Sequence, residues 1–491
     1  MTYWLGIDVG TGGTRALLVN AEGKAVHAFT SPHDDIRMER PLWAEQRPEN
    51  WWDAGKQAIR GVLAEARITG ANVRGIGLSG QMHGLVMLDA ANRVIRPALI
   101  WCDQRSQPQV DHINESVGRE AVLAWTANPV LTGFTLPKLL WVRDNEPAYF
   151  DALRKVLLPK DYIRFCLTGD HATDVSDASG TSFFDVVQRR WSNETLDALG
   201  LRESILPGVF ESRQITGRVS RSGATATGLA EGTPVVAGGG DQAASAVGNG
   251  IVEAGTVSCT LGTSGVVFAH MERPAYDDRG RVHTFCHAVE NAWHVMGVTQ
   301  GAGLSLQWFR NHLAPGIPYD ALTSEAATAP AGSQGLFWLP YLMGERTPHL
   351  DASARGGWIG LTAKHTRADL IRSLLEGVSY SQKDCLDIIE QMNVPVRSVR
   401  LSGGGARSAF WQQMLADVFG KPVSILENQE GSAYGAALLA MVGTDEYSSV
   451  REVCGAVIRE VGVLEPREGE RKLYAEGHQM YRRLYPAIRT I

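Results

Sequence analysis

One short pattern occurs twice in this chain, about half its length apart, and it constrains the fold more than any other feature. Trp4, Leu5 and Ile7 lead through Asp8 into Gly10-Thr11-Gly12-Gly13, and Ala16-Leu17-Leu18-Val19 follows. Two apolar runs around a Gly/Thr cluster read as a β-hairpin. Val257-Ser258-Cys259-Thr260-Leu261 then leads into Gly262-Thr263-Ser264-Gly265, followed by Val266-Val267-Phe268-Ala269. Solenoid repeats recur every ~20–50 residues. A repeat at this distance instead predicts two related lobes, with domains at 1–248 and 249–491.

Between and after the hairpins the chain alternates strand and helix signals, so the expected fold class is α/β. A strand is predicted over Ala25 to Thr30, an amphipathic helix over Pro48 to Ala66, and a buried strand over Val73 to Leu78 that ends at Ser79-Gly80-Gln81-Met82-His83-Gly84. A polar cluster just past a strand is where α/β folds place ligand contacts. Pro234 to Ala237 reads as a short strand before Gly238-Gly239-Gly240-Asp241. Val399 to Leu401 reads as a strand before Ser402-Gly403-Gly404-Gly405-Ala406-Arg407-Ser408, with a helix over Ala409 to Phe419. Gly431 to Val442 reads as a helix rich in small residues, suited to close packing.

The chain has 491 residues and a net charge of −6, with no basic field to attract nucleic acid or an anionic membrane. Its six cysteines contain no C-x-x-C pair, which fits a reducing compartment better than a metal site or a disulfide framework. No secretory leader and no apolar run of ~20 residues is visible. The cytoplasm is the expected location, no membrane or nucleic-acid partner is expected, and a homodimer is compatible with the sequence.

The hairpin turns suit polyphosphate. Glycines let backbone N–H groups approach phosphate oxygens, and successive N–H groups form an anion-binding concavity. Thr11 and Thr14 add hydroxyls, and Arg15 adds a positive charge. Asp8 beside the turn is placed to hold Mg²⁺ through water. One hairpin per lobe would clamp a polyphosphate in a cleft between them. Asp241 has two readings, a cap for a helix starting near Ala243 or a base for an attacking hydroxyl. The two hairpins favour the base, and one side chain could do both. The Gly403/Gly405 segment lacks the third glycine of a dinucleotide fingerprint, and no P-loop string occurs. His83 reads as a ligand contact, not a proton carrier. Trp101, Asp103 and Arg105 read either as an ion pair beside a packing tryptophan or as the wall of a sugar site.

Taken together these segments resemble the FGGY carbohydrate kinases, of the actin/hexokinase/heat-shock ATPase superfamily. Gly133 to Trp141 and Gly357 to Leu361 resemble further signatures of that family. The resemblance implies a two-lobed actin/hexokinase-like (ribonuclease H-like) fold with a central interlobe cleft. It also implies ATP and Mg²⁺ as cofactors and a small-molecule sugar as substrate. Within the family, Gly80 to Gly84, Leu158 to Tyr162 and Gly344 to Pro348 are most similar to the xylulokinase branch, which implies D-xylulose as acceptor; another ketose or polyol is the alternative. A non-enzymatic ATPase scaffold is the alternative of another class.

Residue by residue, the resemblance implies that Met82, His83, Trp101, Asp241 and Gln242 line the sugar. Thr11, Gly12, Gly13, Arg15, Thr263, Gly303, Gln307, Gly404, Gly405 and Ser408 would contact the nucleotide. Asp8 and Asp241 would sit at the metal, with Asp241 the catalytic base. Two features depart from the family pattern. Gly12-Gly13 replaces hydroxyl residues, so backbone donors must do more there, and Gln242 stands where the xylulokinase branch carries Asn.

Overall fold

The computed structural model describes residues 1–428 and 430–489. Two sheets dominate. The first runs Ile215–Arg218, Pro234–Val236, Val73–Gly80, Tyr3–Val9, Gly13–Asn20, Ala25–Pro32, with Gly239–Gly240 also paired to the end of Val73–Gly80. The second runs His283–Cys286, Trp293–Thr299, Gly265–Met271, Gly255–Leu261, Val396–Ser402, Val423–Leu426, Glu460–Leu464.

The repeat seen in the sequence is a repeat of topology. In each sheet the hairpin is antiparallel, and its first strand also pairs in parallel with a strand much later in the chain. Asp8 lies opposite Arg15 and Ser79; Thr260 lies opposite Val266 and Ser402. Parallel strands joined by helical crossovers are buried on both faces, which is why these strands are near-continuous apolar runs.

The helices Pro48–Ala66 and Ala409–Phe419 form over the expected residues. The predicted small-residue helix spans Gly431–Gly443. Although it comes from the second half of the sequence, it packs on the first sheet. Its Ala433 and Tyr434 share one apolar cluster with Trp4 and Leu17. The approach is close because no side chain intervenes: a Cβ at Gly6 would stand 1.8 Å from the Ala433 carbonyl oxygen, and one at Gly77 1.9 Å from that of Ala436. On its other side Gly435 meets the Asp241–Gly248 helix, where a Cβ would stand 1.8 Å from the Ala244 oxygen. The Asp241 helix is therefore held by an element of the opposite half of the chain.

Several strands run further than the sequence suggested. Val73–Gly80 continues past Leu78 because Ser79 and Gly80 still find partners in Asp8, Val9 and the Gly239–Gly240 pair. All six cysteines are free thiols. Among the described residues no helix is long and apolar enough to cross a membrane.

Candidate active site

Three strand ends meet at Ser79. Its register partners are Asp8 on one side and Gly239 on the other, two residues before Asp241. The Ser79 hydroxyl donates to Asp8 Oδ1 at 2.5 Å. Burial raises the proton affinity of Asp8, while the hydroxyls of Ser79 and Ser432 and the charge of Arg15 oppose that rise.

Asp241 is pushed up to about 7, first by burial and then by the negative charge of Asp8; Gln242 hydrogen bonds oppose the shift. The capping reading fails. The helix begins at Asp241 itself, Gly240 occupies the cap position, and no side chain caps it. The carboxylate's partner is Gln242, the next residue of that first turn, through backbone and side chain. A carboxylate with proton affinity near neutrality is matched to general-base work at neutral pH.

The first glycine turn is tight: Gly10 N–H donates to the Gly13 carbonyl at 3.0 Å. A Cβ at Gly13 would stand 2.7 Å from the Ser31 oxygen, whereas one at Gly12 meets nothing within 4 Å. Glycine is thus a packing requirement at 13 and leaves an open backbone face at 12. The Thr11 hydroxyl accepts from Trp101 Nε1 at 3.0 Å and donates to Gln81 Oε1 at 3.3 Å. That tryptophan, 36% exposed, links the turn to the expected sugar wall. The Arg15 guanidinium pairs with Glu430 and contacts the Thr30 hydroxyl, and Thr14 is buried against His33.

The second turn packs on a helix start. Gly303 N–H donates to the Gly262 oxygen at 2.8 Å, and the N–H groups of Ala302 and Leu304 both reach the Thr263 oxygen at 3.1 Å. Beside it lies a cavity of about 670 Å³, walled by Gly262, Thr263, Gly303, Gln307, Gly404, Gly405, Ser408 and Trp411. Six of the residues expected at the nucleotide, from three separate segments, come together there. Leu306, Tyr319, Asp320 and Thr323 also line it. Sequence reasoning missed the last three because their helix, Tyr319–Ala326, carries no motif.

On the other side His83 takes φ +68°, a left-handed conformation uncommon outside glycine and often found at functional sites. It is held there from both sides of its carbonyl, by Lys138 Nζ at 3.0 Å and the Thr135 hydroxyl at 3.1 Å. Its ring stacks on Phe134 with centroids 4.5 Å apart. Burial, with the charges of Lys138, Arg346 and His283, keeps the imidazole neutral. The Nδ1–H donates to the Gly180 oxygen at 2.6 Å, so Nε2 is left as an acceptor. A neutral, fixed imidazole binds a hydroxyl and does not shuttle protons.

Met82 is buried, and a Cβ at Gly240 would stand 3.0 Å from its Sδ, so Met82 touches the segment that presents Asp241. Asp103 and Arg105 do not wall this site. They are buried against each other and Glu45, with the guanidinium 3.7 Å from the Trp43 ring centroid.

A buried polar group supports the loop from behind. Lys160 Nζ lies 2.5 Å from Asp161, 2.8 Å from Asp174 and 3.5 Å from Asp177. Asp174 accepts the Ser176 hydroxyl at 2.5 Å, and that hydroxyl oxygen accepts the Gly240 N–H at 3.1 Å. Gly240, and through it Asp241, is tied to this cluster. No sequence signal distinguishes Ser176 from an ordinary helix-start serine.

Among the described residues no group of three or more His, Cys, Asp or Glu side chains is placed to hold a metal. Two neighbouring carboxylates, Asp8 and Asp241, are what Mg²⁺ uses when water and phosphate oxygens supply its remaining positions.

Residues 3–248 match the FGGY family of carbohydrate kinases, N-terminal domain, and residues 257–444 match its C-terminal domain. The chain is 39% identical over 485 residues to the xylulose kinase of Bacillus subtilis, covering 99% of this chain and 97% of the relative. It is 40% identical over 487 residues to that of Escherichia coli, covering 99% of both. Among solved structures, a kinase from Brucella ovis described as a xyloylose kinase superposes with a TM-score of 0.92 at 37% identity, covering 99% of each chain.

Proposed function

Because the chain belongs to the FGGY family of carbohydrate kinases, and is thus a sugar kinase of two-lobed actin/hexokinase-like fold, we propose that it transfers the γ-phosphoryl group of ATP to the C5 hydroxyl of D-xylulose, giving D-xylulose 5-phosphate. The acceptor is carried by the xylulose kinase relatives, which align over nearly their whole length. The chemistry is carried by Asp241: a carboxylate with proton affinity near neutrality, beside Asp8 and next to Met82. In this reading Asp241 accepts the proton of the attacking hydroxyl, and His83 Nε2, Gln242 and the Trp101 face fix the sugar.

Thr11 to Gly13 and Thr263 hold the phosphates from two sides, through backbone donors that are in place before the reaction. The adenosine end occupies the 670 Å³ cavity against Gly404, Gly405 and Ser408. Asp8 and Asp241 are the residues that would hold Mg²⁺, which would supply neutralisation of charge on the transferring group. Arg15 enters through its pair with Glu430, shaping the turn from outside. We take the lobes as 1–248 and 249–491, with Gly431–Gly443 packed back on the first. The cytoplasm is the compartment we assign, since six free thiols suit reducing conditions.

A coupled ADP assay across ketoses and polyols tests the reading. D-xylulose is expected to give the highest kcat/KM. A higher value for ribulose, a hexulose or a polyol would replace the acceptor. ATP turnover that no sugar stimulates would point to a scaffold.

A further inference from the structure

Arg346 is a cation without a counterion at the edge of this site. Its guanidinium has no ion pair and no side-chain hydrogen bond among the described residues; only burial and the more distant charges of Glu345 and Cys102 act on it. Glu345, the preceding residue, turns its carboxyl to backbone N–H groups and makes no ion pair with the guanidinium among the described residues.

The backbone on both sides is fixed. The Glu345 carboxyl accepts the N–H groups of Gln300 and Arg346, each at 2.8 Å. Thr347 N–H donates to the Val298 oxygen at 3.0 Å, and the Thr347 hydroxyl donates to the Arg281 oxygen at 2.7 Å. The side chain between them is thus aimed from the second lobe at the first. Its Nη2 would lie 4.0 Å from a Cβ at Gly133, a position 2.8 Å from the Trp101 carbonyl oxygen. Gly133 precedes Phe134, whose ring stacks on His83, whereas the Gly240 segment that presents Asp241 meets Met82 and not Arg346. Arg346 therefore stands beside His83 and Trp101, at the end of the site remote from the proposed base.

Resting on the acceptor reading above, we propose that Arg346 binds the keto end of the sugar, donating from the second lobe to the C1 and C2 oxygens of a ketose whose C5 hydroxyl faces Asp241. A guanidinium carries five donors and no acceptor, so oxygen-rich ligand atoms complete it where the protein does not. Because the donor comes from one lobe and the other sugar contacts from the opposite one, the acceptor itself draws the lobes together. This contact separates a ketose from the pentitol made by reducing C2, whose hydroxyl at that carbon must find its own acceptor beside a cation.

The test is steady-state kinetics of Arg346→Gln and Arg346→Lys on D-xylulose and on that pentitol, with ATP affinity and melting temperature as controls. For Arg346→Gln, kcat/KM for the ketose should fall on the order of 100-fold, mainly through KM, and the ketose-over-pentitol preference should collapse. Arg346→Lys should retain part of it, and ATP affinity should not move. Unchanged KM and unchanged preference in Arg346→Gln would overturn the proposal. So would wild-type turnover of a sugar acid above any ketose, lost in Arg346→Gln, since the cation would then read a carboxylate. Activity on a different ketose would sink only the D-xylulose assignment, with Arg346 judged on that ketose and its alcohol. Inactivity on every ketose would overturn both.

Discussion

Asp8 pairs with Ser79 on one side and the Gly239–Gly240 strand leading into Asp241 pairs on the other, and the charge of Asp8 helps push Asp241 up to about 7. In an unfolded chain an aspartate titrates near 4. The folded protein therefore holds the proton more tightly. The stability that protonated Asp241 contributes is present below about pH 4 and is lost as pH rises to about 7. Asp241→Asn, neutral throughout, should melt a few degrees above wild type at pH 8, with the gap closing at pH 4. Thermal denaturation without nucleotide or metal measures this, and equal melting temperatures at pH 8 would count against the raised proton affinity.

Close packing of the Gly431–Gly443 helix gives a second expectation. Gly435→Ala places a methyl 1.8 Å from a backbone oxygen, and backbone must move to admit it. The cost should be about 1–3 kcal/mol or more, seen as a lower melting temperature. Gly12→Ala, with open space around it, should melt with the wild type, whereas Gly13→Ala should not. Chemical denaturation of the three variants side by side separates steric need from loop chemistry.

Gly404 faces the large cavity, and a Cβ there meets no protein atom within 4 Å. Gly404→Val should put its side chain into the space assigned to the nucleotide. The KM for ATP is expected to rise by about 10-fold or more, with sugar KM and melting temperature nearly unchanged. A variant with unaltered ATP affinity would place the nucleotide elsewhere.

Lys160 is wholly buried among three carboxylates. Removing the cation leaves buried negative charge without compensation, which costs about 3–5 kcal/mol for a broken buried pair. Lys160→Met should be strongly destabilised in urea. Through Asp174, Ser176 and Gly240 it should also loosen Asp241, so Ser176→Ala is expected to lower kcat more than it lowers stability.

Much of this architecture was legible because it depends on local patterns. The two glycine turns, the Pro48–Ala66 helix and the Ala409–Phe419 helix each follow from a periodicity or a breaker in a few consecutive residues. The small residues of Gly431–Gly443 announced close packing, but not that its partners would be Gly6 and Gly77, about 430 and 360 residues earlier. Pairings of that kind depend on tertiary topology, which periodicity does not encode. The same limit applied to Asp241: the hairpins favoured a base over a cap, but that Gly240 takes the cap position shows only in the fold. Asp103 and Arg105 read either as an ion pair or as a sugar wall, and W-x-D-x-R could not choose between them; their burial against Trp43 decides for the ion pair. Arg346 lay inside a segment already singled out, yet its lack of a partner is a fact about three-dimensional neighbours.

The central claim is that Asp241 takes the proton from the attacking sugar hydroxyl. Single-turnover phosphoryl transfer by Asp241→Ala, with ATP, Mg²⁺ and saturating D-xylulose, tests it most directly. The account predicts ATP affinity close to wild type and a transfer rate lower by about 100- to 10,000-fold; transfer at near wild-type rate would contradict it.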